Sequence, residues 1–137
     1  MLKPHKKIIW LRISLGILFL WFGGLKFLPN LSPAEDIVGQ TFLALSFGYI
    51  KPNVSIPFIA VWECCIAIGF FTGRYLRWVM VLFYLHLLGT FFPLFIFPHE
   101  TWKIAPFVPT LLGQYIIKNI VLLAAGLVIG NAEQPKN

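Results

Sequence analysis

A handful of side chains set in otherwise apolar stretches could do chemistry: Arg12, Lys26, Glu63, His86, Lys118 and Asn119. Glu63 is the focus. It stands near the middle of Val54–Phe71, an apolar run long enough to cross most of a bilayer. A lone carboxylate at that depth costs roughly 2.5–3.5 kcal/mol on insertion scales, so it needs a partner. The other apolar runs offer Arg12, Lys26, His86, Lys118 and Asn119, and Gln114 lies one helical turn before Lys118. Carboxylate and ammonium groups gathered there could fix helix register, hold a head group or exchange a proton.

The elements that would position these groups follow from composition. Of 137 residues, 58% are hydrophobic and 12% charged, whereas a soluble domain carries about 25% charged residues. Lipid is the solvent this surface suits. The expected class is an all-α integral membrane protein, a single domain over 1–137 with four transmembrane helices in an up-down bundle. The spans are predicted at Ile8–Leu28, Val54–Phe71, Leu76–Phe97 and Thr110–Gly130. The first run is too long for a signal-peptide core and lacks a small-x-small cleavage site, so it reads as an uncleaved span. Ser32-Pro33-Ala34-Glu35 has the form of a capping box, and the mixed stretch 33–49 reads as an interfacial helix. Pro98–Pro109 reads as an irregular outer loop.

The net charge of +6 does not point to nucleic acid, because the basic residues cluster at the ends of apolar runs. Lys3, Lys6, Lys7, Arg12, Arg74, Arg77 and Lys136 fall on one side, and Lys51 and Lys103 on the other. The richer side is expected to be cytoplasmic, with both termini inside the inner membrane. Cys64 and Cys65 are neighbours in one apolar run, pointing apart on a helix, and carry no metal or redox spacing. His5 and His99 fall at opposite surfaces, so no haem or metal site is expected.

Arg12, Gly16, Phe19, Gly23 and Lys26 share one helical stripe, whose glycines allow close backbone approach. Lys26 lies either over that packed seam or close enough to the helix end to snorkel. Ala60 and Ala67 flank Glu63 as small packing residues. Gln114, Lys118 and Ala125 form a second polar-and-small stripe, and Asn119 with Gly126 forms another on the adjacent face. Under the expected topology, Glu63 and Lys118 lie some 12–14 Å below their outer helix ends. Their side chains lean outward while Lys26 leans inward, so the groups are predicted to converge. One carboxylate and two ammonium groups do not balance. Either one lysine is neutralised by burial or the site hosts an anion. His86 shares a face with Gly89, Thr90 and Pro93 and reads as a hydrogen-bonded packing residue.

These motifs resemble the DoxX-like membrane family. The resemblance rests on Arg12-x3-Gly16-x2-Phe19-x3-Gly23-x2-Lys26-Phe27, on Glu63 followed by Gly69-Phe70-Phe71-Thr72-Gly73-Arg74, and on Gly113-Gln114-Tyr115-x2-Lys118-Asn119. It spans nearly the whole chain. It implies a four-helix membrane bundle and a link to quinone-dependent or oxidative-defence redox processes. Arg12, Lys26, Glu63, Lys118 and Asn119 occupy the matching positions. No residue is assigned a catalytic role. The expected function is therefore a membrane component of a redox process, with a quinone- or anion-binding pocket and a redox partner protein or a homo-oligomer. Two other readings stay open: a noncatalytic membrane scaffold whose polar pair only specifies packing, and a small transporter, workable only as an oligomer.

Overall fold

The computed structural model describes residues 3–132, and most of them are helical. Helices α1 (Pro4–Leu25) and α3 (Pro52–Thr72) each start with a proline in the first turn, where the missing N–H costs no hydrogen bond. Between them lies α2 (Glu35–Leu45). Gly73 closes α3 with φ 66°, donating its N–H to the Gly69 carbonyl, and α4 (Leu76–Thr90) follows at once. Past a break at Phe91 and Phe92 come two short helices, α5 (Pro93–Ile96) and α6 (Pro98–Thr101). The last span is α7 (Leu111–Ile117) and α8 (Asn119–Ala132), interrupted for one residue at Lys118. Thr110 caps α7, its hydroxyl accepting from the Gly113 N–H at 3.1 Å.

Four helical stretches are long and apolar enough to cross a membrane: Pro4–Leu25, Pro52–Thr72, Leu76–Ile96 and Leu111–Ala132. They coincide with the expected runs, although α1 starts at Pro4 and stops at Leu25. Large apolar side chains stand outward on them, among them Trp21, Leu88 and Val121. This is the pattern of a multi-pass membrane protein.

Two local expectations are corrected. The stretch 98–109 is not irregular: β1 (Trp102–Ile104) pairs antiparallel with β2 (Val108–Pro109), with Trp102 opposite Pro109. Nor does a capping box form. Ala34 occupies the N-cap of α2, which is shorter than 33–49, and makes no side-chain cap bond. Ser32 is buried in the preceding turn, its carbonyl accepting from the Glu35 N–H. The Glu35 carboxylate instead accepts from the Asn30 N–H at 2.9 Å.

α1 packs along α3, α3 against α4, α4 against α8, and α8 back against α1. Phe19, Ile66, Phe70, Phe83 and Ile129 fill the space among them. Missing side chains let the helices close: Phe71 lies against Gly16, Val79 against Gly69 and Phe83 against Gly126. Gly23 lies against Ala60 and Glu63, so α1 ends near the level of Glu63. From there α3 continues for about 16 Å toward Pro52. α2 fills that step, with Gly39 against Pro52 and the Phe42 and Phe58 rings 6.4 Å apart.

Candidate functional site

The step beyond the end of α1 holds the polar centre. Lys26 Nζ donates to Glu63 Oε2 at 2.7 Å, and His86 Nε2 lies 3.1 Å from Glu63 Oε1. Lys26 and Glu63 are each only 6% exposed, so this ion pair has lost most of its water. A Cβ at position 23 would come within 2.8 Å of the Glu63 Cβ, so glycine there is what lets the two helices meet. Lys26 also donates to the Phe22 carbonyl at 3.3 Å. That places a cation at the negative, C-terminal end of α1.

His86 arrives from α4. Phe19 packs against its ring at 5.4 Å and Trp62 at 6.5 Å. Trp62 also donates Nε1–H to the Leu82 carbonyl at 3.0 Å, tying α3 to α4. A carboxylate accepts only, so Nε2 carries the imidazole proton. Nδ1 is buried with no hydrogen-bond partner, and a second proton there would be stranded. The centre thus sets one lysine against one carboxylate, with the His86 ring on the second carboxylate oxygen.

A cavity of about 630 Å³ opens beside these groups. Its walls come from α1, α2, α3, α4, α5, α7 and α8 and are chiefly apolar, including Phe22, Ile37, Trp62 and Leu112. Lys26, Glu63 and His86 contribute to one part of the lining, Thr41 to the α2 wall and Ser32 to the turn before it. Thr90 and Asn119 supply a second polar station, with Asn119 Nδ2 donating to Thr90 Oγ1 at 2.9 Å.

The residues singled out in the sequence thus divide. Lys26, Glu63 and His86 come together, and Asn119 lines the same cavity. Lys118 does not reach Glu63. It is exposed, as is Gln114, and among the described residues it makes no ion pair. The reason is helical phase: Asn119 and Gly126 face inward, and Lys118 is turned roughly 100° away. The excess of cation expected from two lysines is therefore absent from the centre. Arg12 lies at the opposite end of the bundle, its guanidinium against Gly73, about 20 Å along α1 from Lys26. There it faces the C-terminal end of α3. Ala60 and Ala67 are fully buried on α3.

The sequence reading did not single out Trp62 or the α2 wall. An indole one position before the buried carboxylate was the available sign of the first. Comparison with known protein families, with curated proteins and with solved structures finds no match. What the arrangement can do chemically follows from its donors. Lys26 has one N–H left after its two bonds, and the Asn119 amide lines the far polar station.

Proposed function

We propose that this chain is a DoxX-like inner-membrane protein, an up-down four-helix bundle with both termini cytoplasmic, that gives a redox process its quinone-binding pocket. In this reading α2 lies at the outer interface and roofs the pocket. The observation that carries the proposal is the apolar cavity of about 630 Å³ with a balanced, buried Lys26–Glu63–His86 cluster in its lining. Pockets for small molecules are of this size and build, apolar with a few placed polar groups. Charge balance supports a neutral head group over an anion. The Lys26 ammonium would hold a carbonyl oxygen, and Glu63 would fix that ammonium in place. The Asn119–Thr90 pair would orient the other side of the ring. A bound quinone would supply reversible uptake of electrons and protons, and a redox partner protein would deliver the electrons.

Trp62 provides the readout, because it lines the cavity. Titration of the purified full chain with decylubiquinone should quench its fluorescence saturably, and Lys26→Met should weaken that binding at least tenfold. Quenching that stays linear with quinone, or is the same in Trp62→Phe, would remove the proposal.

One observation favours a second reading. Both Glu63 oxygens are satisfied inside the chain. A cluster complete in itself is what a noncatalytic scaffold would use to fix helix register. Under that reading, replacing Lys26 and Glu63 together by methionine leaves function intact.

A further inference from the structure

Lys118 faces outward from a membrane-spanning helix, about 10 Å along the axis from its Leu111 end. An ammonium group at such a place is costly unless something neutralises it. The chain does not. Glu63 is the one carboxylate in the four spanning stretches, and its two oxygens are held by Lys26 and His86. No described acidic residue lies within ion-pair distance of Lys118. A counter-charge from outside the chain would stabilise it there.

The surroundings of Lys118 select the source. Tyr115, Lys118, Asn119 and Leu122 line a groove of about 350 Å³. Tyr115 is 57% exposed and adds a hydroxyl donor one turn outward from the ammonium, and Gln114, also exposed, is four residues before Lys118 on the same helix side. Toward the middle of the span the surface becomes purely apolar, with Leu122 and the exposed Val121. A cation with hydroxyl and amide donors above an apolar strip matches a phosphodiester head group with an acyl chain below it. A lysine stem leans toward the helix N-terminus, which here is the nearer end of the span, so Nζ is carried toward phosphate level. A second copy of the chain fits poorly. It would bring its own Lys118 to this face, while its Glu63 stays buried.

We propose that Lys118, with Tyr115 and Gln114, forms a site for the phosphate head group of an anionic membrane lipid. The site is separate from the polar centre. It flanks the larger cavity, with which the groove shares Tyr115, Asn119 and Leu122.

The test uses the full chain in phosphatidylcholine vesicles containing spin-labelled phosphatidylglycerol or spin-labelled phosphatidylcholine. Electron paramagnetic resonance reads the motionally restricted fraction of each label. The anionic label should be preferred by roughly fivefold, as expected for one basic group near the membrane surface. Lys118→Met should lower the preference several-fold, and Lys118→Arg should retain it. The triple variant Lys3→Gln/Lys6→Gln/Lys7→Gln should retain it too, since those lysines lie at the far end of the bundle. Circular dichroism and elution volume report whether each variant folds, and the arginine variant reads the site even if the methionine variant does not. Equal restriction of both labels by the wild-type chain would overturn the proposal. So would a preference that Lys118→Met leaves unchanged or that disappears with the triple variant. Loss of an oligomer on Lys118→Met, with lipid preference unchanged, would assign the face to a protein partner instead.

Discussion

Removing the Lys26 ammonium should cost far more than removing the Lys118 ammonium, although both belong to apolar helices. The Glu63 side chain is 8% exposed and that of Lys26 4%. In Lys26→Met the carboxylate keeps only its contact with His86, at 3.1 Å. Stranding one member of a buried ion pair costs about 3–5 kcal/mol, whereas replacing both by apolar residues is close to neutral. Lys26→Met should therefore destabilise by about 3–5 kcal/mol, and Glu63→Met should cost a similar amount by stranding Lys26. The double variant should recover to within about 1 kcal/mol of the wild type, a coupling well above the roughly 0.5 kcal/mol within which independent sites add. Lys118→Met combined with Glu63→Met should simply add, because no bond joins them. Equilibrium unfolding in mixed micelles of dodecyl sulfate and a mild detergent, followed by circular dichroism, gives all these values. An additive Lys26/Glu63 cycle, or a coupled Lys118/Glu63 cycle, would refute the assignment of partners made above.

Other expectations are simpler. Gly23→Ala should destabilise by about 1–3 kcal/mol, because its Cβ meets Glu63 Cβ at 2.8 Å and backbone atoms of α3 at 3.3 Å. Gly24→Ala, with nothing within 4 Å, should be neutral or gain up to about 1 kcal/mol of helix propensity. The same unfolding measurement compares the two. Asn119→Leu loses the bond to Thr90 and should cost about 0.6–1.7 kcal/mol, the range of interhelical bonds in membranes. In a background lacking Cys64 and Cys65, impermeant maleimide applied to intact cells should label Lys51→Cys and Lys103→Cys but not Arg74→Cys. The opposite pattern would invert the proposed orientation.

The four spans were legible because a spanning helix is defined by a local property, a long run of apolar residues. The partner of Glu63 was not, because it depends on helical phase. Gln114–Lys118–Ala125 and Asn119–Gly126 are both polar-and-small stripes, and each could have faced inward. The structure turns the Asn119 face in, where Gly126 accepts the Phe83 ring. Nothing within the helix distinguishes the two, since the deciding contact lies on α4. The hairpin escaped notice for a different reason. Strands of three and two residues are too short to show alternation. The prolines around them read as breakers, although Pro109 sits at the very end of β2.

Lys26 shows why a residue at a helix end could not be placed from its own helix. Near the end of an apolar run, a lysine ordinarily snorkels to water. Here α1 stops near the level of Glu63 while α3 runs on, so the end of α1 is not the edge of the protein. α2 closes the gap, and Lys26 becomes buried although it is the residue that terminates its helix. The same step creates the cavity, since a helix as tall as α3 at that position would fill it. The cavity and the buried charge therefore share one cause, the early end of α1. A variant that extends α1 by a turn should lose both together, whereas a variant that only loosens α2 should expose Lys26 while leaving its pair with Glu63 intact.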